Sequence, residues 1–313
     1  MGLLGKKLAF VFPGQGSQAV GMGKDLVDNF AVAADIFKRA DAVMGYPISE
    51  LCFNGPEDDL KQTSHTQPAL YITSAAAFEV AREKGLTPSF TAGHSIGEYA
   101  ALYAAGVFTL EEGLSLVRTR AQLMQFAGRS NAGTMAAILG LSADQVAEAV
   151  AKASDAGVIG VANYNSPIQT VISGEMAAVE RASQIATEMG AKRVMPLNVS
   201  GAFHSPLMQS AAGSLLESLK AAKMEAPTVP IVANYTADFE TTTAEVRDNL
   251  AKQITGSVRW VESIQRMLDA GAEAFIELGA GNVLAGMIKR IAPDTEVVSA
   301  GDKAGIDALI ADS

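Results

Sequence analysis

Short apolar runs alternate with amphipathic helical stretches along this chain, and that alternation restricts the fold more than any other feature. KLAFVF (7–12) reads as a buried strand, followed by a glycine-rich turn, GQGSQAVGMG. Helical periodicity runs from about Ala69 to Lys84 and stops at Gly85. PSFTAG (88–93) is a second strand, and Ile96 to Ala105 is a helix closed by Gly106. Leu110 to Phe126 is another helix. It begins after Thr109, an N-cap residue with Glu112 three positions on. Beyond residue 200 the same rhythm returns: a helix from Ser205 to Lys223, the strand PIVANY (230–235), two helices, EAFIELG (273–279), a helix from Gly281, TEVVSA (295–300) and a final helix. Strands that alternate with helices form a mostly parallel sheet, because each crossover lays its helix on one face and both faces become covered.

The middle of the chain has a different character. TMAAILG (134–140) is a strand, and SADQVAEAVAKA (142–153) is a helix with a Ser142/Gln145 capping box. VIGVANYN (158–165) and IQTVISG (168–174) are strands joined through Ser166-Pro167. A helix over 175–190 and the strand KRVMPLNV (192–199) complete a β-α-β-β-α-β order. That order is the ferredoxin-like split pattern. The expected organisation is therefore α/β, with residues 1–129 and 200–313 forming the core and 130–199 a small ferredoxin-like inserted domain.

Composition narrows the function classes. A formal net charge of -10 argues against nonspecific binding to nucleic acid or to an anionic membrane. The single cysteine, Cys52, rules out an internal disulfide and fits a reducing compartment. The apolar run at the N-terminus stops at Pro13, too short for a secretory signal, and no stretch approaches the roughly 18 unbroken apolar residues of a membrane span. A cytoplasmic monomer is expected.

Gly93-His94-Ser95-Ile96-Gly97 fits G-x-S-x-G, with a strand before it and a helix after it. That context suits a nucleophile elbow, in which a sharp turn lifts a serine hydroxyl above the sheet edge. A serine hydroxyl is a weak nucleophile and needs a base. The chain has three histidines, His65, His94 and His204. His94 adjoins Ser95, and neighbours at a sharp turn point apart, so it suits support of the loop better than proton abstraction. His204 precedes Ser205-Pro206, where Ser205 suits an N-cap and Pro206 the first helical position. A histidine beside a helix N-terminus is expected to stay neutral and basic. Which acid orients the imidazole is open: Asp238 and Glu277 lie near strand ends, and a backbone carbonyl is the other option.

FPGQGSQAVGMG (12–23) contains G-x-G-x-x-A after a strand, with Asp35 about twenty residues on, a superficial dinucleotide fingerprint. The other reading is a backbone nest facing an oxyanion. In that case the amide of Ile96, directly after the nucleophile, and the amide of Gln15 are the candidate donors. Arg120 lies among apolar residues in a predicted helix, where a planar guanidinium suits bidentate pairing with a carboxylate.

FPGQGSQ (12–18), TQPAL (66–70), GHSIGEYAAL (93–102) and GAFHSP (201–206) occur in this order. Together they closely resemble malonyl-CoA:acyl carrier protein transacylases and the acyltransferase domains of fatty acid and polyketide synthases. The resemblance runs from about residue 8 to 290. It implies an α/β-hydrolase-like core carrying a ferredoxin-like insert. Ser95 would carry the acyl group and His204 would act as base, then acid. The amides of Gln15 and Ile96 would form the oxyanion hole. Arg120 would pair with the malonyl carboxylate, Gln67 and Asn165 would line the site with His94, and the backbone carbonyl of Gln253 would hold the histidine. Phe203, in the A-F-H triplet, would accompany malonyl rather than methylmalonyl.

The expected reaction is malonyl transfer from malonyl-CoA to the phosphopantetheine thiol of acyl carrier protein through a malonyl-serine, supplying fatty acid synthesis. It requires no metal or redox cofactor; the coenzyme A thioester is the substrate. A serine hydrolase or thioesterase would share the same residues and differ in admitting water. An NAD-dependent oxidoreductase would leave the elbow without a purpose, and a noncatalytic carrier-binding module would not need both Ser95 and His204. For an acidic carrier, Lys192, Arg193, Lys289 and Arg290 are the candidate basic contacts.

Overall fold

The computed structural model of the chain describes residue 3 and residues 5–310, which form two β-sheets and the helices that cover them. The strands are β1 (Leu8–Phe12), β2 (Phe90–Gly93), β3 (Thr134–Leu139), β4 (Ile159–Ser166), β5 (Gln169–Gly174), β6 (Arg193–Pro196), β7 (Ile231–Val232), β8 (Phe239–Glu240), β9 (Ala274–Glu277) and β10 (Glu296–Ser299). The larger sheet has the order β10-β9-β1-β2-β7-β8. Its first five members are parallel, and β8 turns back antiparallel to β7.

β1 lies in the middle and is buried along its whole length. Its side chains alternate between two cores, as the period of a strand requires. Phe10 and Phe12 point to one face, where Phe78 of the helix Thr63–Glu83 meets both rings edge-on. Ala9 and Val11 point to the other, among Trp260, Ile264 and Phe275. This two-sided burial explains why KLAFVF has no polar alternation.

The smaller sheet is antiparallel, in the order β4-β5-β3-β6, and has its own core of Ile138, Val146, Ile172 and Val179 under two helices, Ala143–Ala153 and Met176–Glu188. Backbone hydrogen bonds from Tyr164 N to Val258 O (2.9 Å) and from Val258 N to Ala162 O (2.8 Å) tie it to the body carrying the larger sheet.

The observed elements depart from the sequence expectations where tertiary contacts outweigh local propensity. The helix before β2 starts at Thr63 rather than near Ala69 and continues through Pro68. A proline suggests a boundary, but almost every residue of this helix from Thr66 to Ala81 is buried, and that burial compensates one lost bond. PIVANY contributes only two strand residues, Ile231 and Val232. Four helices lie between Lys24 and Leu60, where no element was expected, although the longest, Ala31–Met44, buries a regular stripe of Ala33, Ile36, Phe37, Ala40 and Met44. Ser205 precedes a short 3₁₀ turn, Pro206–Met208, before the helix Gln209–Ala221. Its hydroxyl does not cap that turn; it donates back to the Ala202 carbonyl at 2.6 Å. The Ser142/Gln145 capping box and the Thr109 cap both form.

Candidate active site

β1 and β2 are parallel neighbours, so the turns that follow them emerge at the same carboxyl edge. The turn after β2 is held as a tight elbow. Ser95 adopts φ 53, a left-handed conformation that a non-glycine residue takes only when its surroundings impose it. A Cβ on Gly93 would collide with the Gly97 backbone, and a Cβ on Gly97 would collide with the Phe12 carbonyl. Both glycines are therefore required by close approach: the helix Gly97–Ala104 begins pressed against the end of β1. Asn234, just past β7, buttresses the turn. Its Oδ1 accepts from the Ser95 peptide N–H at 2.7 Å, and its Nδ2 donates to the Gly93 carbonyl at 2.6 Å.

The Ser95 hydroxyl lies 2.8 Å from Nε2 of His204. Nδ1 of His204 lies 2.8 Å from the backbone carbonyl oxygen of Gln253. A carbonyl only accepts, so Nδ1 carries the proton and Nε2 is free to accept from Ser95. Asp238 pairs with Arg266 on the surface, and Glu277 accepts from the Leu284 and Ala285 amides, so neither carboxylate orients this ring. His204 also sits at a left-handed backbone position, φ 56. Its pKa is pushed down to about 3, first by burial and then by the charge of Arg120. The cause is thus desolvation and a neighbouring cation rather than a helix end.

Arg120 projects from the helix Leu110–Ser130 and is fully buried. Its partners are neutral: Nη1 donates to Gln67 Oε1 at 2.6 Å, and Nη2 donates to Gln253 Oε1 at 2.8 Å and to Ser95 Oγ at 3.2 Å. The Tyr99 ring packs 5.7 Å from the guanidinium. Arg118, two residues earlier, points elsewhere and donates to the Val43 carbonyl.

A cavity of about 100 Å³ opens over Ser95, between the two sheets. Gln15, Gln67, Ile96 and Asn163 supply polar groups to it, and Met124, Met135, Leu197, Val199 and Phe203 supply an apolar wall. Among the described residues, neither the Gln15 nor the Ile96 peptide N–H has an acceptor. Asn165 stands one layer back, where its Oδ1 accepts from His94 Nε2 at 2.8 Å; Asn163 is the asparagine that lines the cavity. His94 packs edge-on to Trp260, with ring centroids 5.6 Å apart, and burial lowers its pKa, so it is a neutral support. His65 bonds the Asp59 carbonyl. Asp35 pairs with Arg39 on an exposed helix face, which leaves the dinucleotide reading without its acidic partner.

The model of the acyl transferase domain family matches residues 9–303. The chain belongs to the acyl transferase family. Among its relatives, the malonyl CoA-acyl carrier protein transacylase of Bacillus subtilis is 42% identical over 305 residues, covering 97% of this chain and 96% of that one. The acyl carrier protein S-malonyltransferase structure from Vibrio cholerae superposes with a TM-score of 0.94 at 44% identity, covering 97% of this chain and 99% of that one. A malonyl-transacylase solved in complex with its type II polyketide acyl carrier protein gives a TM-score of 0.95 at 38% identity, covering 98% of this chain and all of that one (100%).

Within this acyl transferase, three buried residues behind the site escape a reading of sequence alone. Glu98 is fully buried, and its Oε2 accepts from Gln253 Nε2 at 2.8 Å and from the Asn234 peptide N–H at 3.0 Å. Asn234 lies within the expected strand PIVANY but, in the fold, just past its two strand residues, Ile231 and Val232. Glu240, on β8, is buried with Asn249 as its partner at 2.8 Å. The one visible signal was an acid, Glu98, within an alanine-rich apolar helix.

Proposed function

We propose that this acyltransferase moves a malonyl group from malonyl-CoA to the phosphopantetheine thiol of acyl carrier protein, through a malonyl-Ser95 intermediate, in support of fatty acid synthesis. The observation that carries this reading is Arg120: a buried cation, held only by neutral groups, 3.2 Å from the nucleophilic oxygen. A buried charge without an ionic contact is costly unless a partner arrives, and an acyl group that ends in a carboxylate supplies that partner. Pairing replaces the Arg120–Ser95 contact and frees the hydroxyl to react.

In the first half-reaction Ser95 Oγ attacks the thioester carbonyl and its proton passes to His204 Nε2. The oxyanion rests on the Gln15 and Ile96 amides. The C–S bond breaks, and His204 returns the proton to the coenzyme A sulfur. In the second, the carrier thiol attacks the malonyl-serine ester, His204 takes the thiol proton, and the Ser95–acyl bond breaks with the proton delivered to Ser95. Arg120 keeps the acyl carboxylate fixed and leaves water without a productive approach, which favours transfer over hydrolysis. Phe203 and the apolar wall crowd a branch at the substrate α-carbon. Lys192, Arg193, Lys289 and Arg290 are proposed contacts for an acidic carrier.

The α/β-hydrolase-like core is proposed to span 1–129 and 200–313, with 130–199 as a ferredoxin-like insert. The interleaved order β4-β5-β3-β6, with the first and third strands of the unit in the middle, supports that reading.

A panel of coenzyme A thioesters, offered with a purified carrier while hydrolysis is followed in parallel, tests the function. Malonyl should transfer faster than acetyl or methylmalonyl, with little free acid formed. Release of free acid as the main product would make the chain a hydrolase.

The site also sets a pH dependence. His204 works in its neutral form, above its pKa, so a value near 3 keeps the free enzyme competent well below the ordinary histidine range. A carboxylate paired with Arg120 cancels one of the three depressing causes, burial, Arg120 and His94, and moves the pKa back up. In single-turnover acylation at saturating thioester, the acid limb should lie at higher pH with malonyl-CoA than with acetyl-CoA. Coincident limbs would argue that the carboxylate never reaches Arg120.

A further inference from the structure

We propose that Glu98 is a positioning residue for acyl selection: its carboxylate sets the polarity of the Gln253 side-chain amide, and that amide holds Arg120 ready for the substrate carboxylate. The inference rests on the malonyl-transfer reading and deepens it. It follows from which groups around Gln253 donate and which accept. Nε2 of Gln253 faces Glu98 Oε2 at 2.8 Å and the Ser95 carbonyl at 2.9 Å, both acceptors. Oε1 faces Arg120 Nη2 at 2.8 Å, a donor that cannot accept. Only one of the two amide orientations satisfies all three, and Glu98 is the strongest of the groups that select it.

The same carboxylate oxygen accepts the Asn234 peptide N–H at 3.0 Å, and the Asn234 side chain spans the elbow. Glu98 therefore fixes the loop that presents Ser95 and the amide that presents Arg120 to each other. It also supplies negative charge near a buried guanidinium without touching it, so the cation is stabilised while its face toward the acyl group is not taken by a fixed carboxylate. Glu240 accommodates this arrangement. Burial pushes both acids up; hydrogen bonds from Asn234 and Gln253 and the charge of Arg120 pull Glu98 back, whereas the charge of Glu98 pushes Glu240 further up against the pull of its bond from Asn249.

Glu98→Gln keeps the shape and, with its amide oxygen in the place of Oε2, an acceptor for both Asn234 and Gln253, but it removes the negative charge. The hold on the Gln253 amide weakens to that of a neutral acceptor, and Arg120 loses the negative charge beside it. The test measures acylation of Ser95 by malonyl-CoA and by acetyl-CoA, and labelling of Ser95 by an uncharged fluorophosphonate that reports only nucleophile and base. The malonyl-over-acetyl preference should fall about tenfold or more, equivalent to at least about 1.4 kcal/mol, while fluorophosphonate labelling changes by less than about threefold. An unchanged preference overturns the proposal, and so does an equal loss in all three reactions, which marks general damage to the elbow. Should Glu98→Gln fail to melt cooperatively, Gln253→Met cuts the same link and leaves the backbone carbonyl on His204. That variant must then show the loss of preference, and a folded Gln253→Met enzyme with wild-type preference overturns the proposal equally. Wild type measured alongside separates the two levels: an absent malonyl increment there refutes the transfer reading, whereas failure of the positioning role shows only in the variants.

Discussion

Ser95→Ala should abolish malonyl transfer, with a rate lower by on the order of 10⁵-fold, and intact mass after incubation with malonyl-CoA should show no increment. The size of the effect follows from the role of the hydroxyl. It is the atom that bonds to the acyl group, and among the described residues no other nucleophile lines the cavity at comparable reach of His204. Water can occupy the space left by Oγ, but it lacks the effective concentration of a hydroxyl held 2.8 Å from its base. The fold should survive. The elbow is built from Gly93, Gly97 and Asn234, whose contacts involve the backbone of residue 95 rather than its side chain. Thermal melting therefore separates chemistry from stability: a cooperative transition close to wild type is expected beside the lost activity. A malonyl increment on the folded variant, or activity above about 1% of wild type, would place the covalent step elsewhere.

Arg120→Ala should lower malonyl transfer by about 3 kcal/mol or more, roughly a hundredfold, and remove most of the discrimination against acetyl. A charge-assisted fork to a carboxylate in a water-poor site is one of the stronger single contacts a protein makes. Acetyl has no group to place there, so its own rate should change far less. The substitution also has a structural cost. Gln67 and Gln253 each lose a donor, and Glu98, already pushed up to about 7, loses the cation that holds it down and takes up a proton. A destabilisation of about 1–3 kcal/mol is expected from the buried amide oxygens left without a donor, measured by denaturant or heat. Arg120→Lys distinguishes charge from geometry. It restores the cation but cannot bridge Gln67, Gln253 and the substrate together, so its selectivity should fall between wild type and alanine. If malonyl and acetyl lose rate in equal proportion in the alanine variant, the guanidinium supports the fold and does not read the substrate.

These predictions draw on two kinds of information. The elbow, the caps at Thr109 and Ser142, and the alternation of strands with helices are legible from residues a few positions apart, because sterics and local hydrogen bonds act over that range. The three short helices Lys24–Asn29, Ile48–Asn54 and Glu57–Leu60 were not legible, since segments of one or two turns make little periodic pattern and owe their form to the surface on which they lie; Ala31–Met44 carries a legible stripe at 33, 36, 37, 40 and 44. Pro68 misled for the same reason: local preference suggests a boundary there, and burial of the whole segment overrides it. The expected N-cap at Ser205 did not form: a short 3₁₀ turn follows, the hydroxyl accepts no amide from it, and it donates to the Ala202 carbonyl three residues back.

From its order of residues alone, this chain determines a serine on a strained turn, an arginine inside an apolar helix and a family resemblance that names their partners. The folded molecule decides which groups meet: Ser95 with His204 across 109 positions, and Arg120 with Gln253 across 133. It also decides that a buried acid, Glu98, stands behind both. Contacts of that span depend on how parallel strands bring distant turns to one edge of a sheet, and no local rule encodes them.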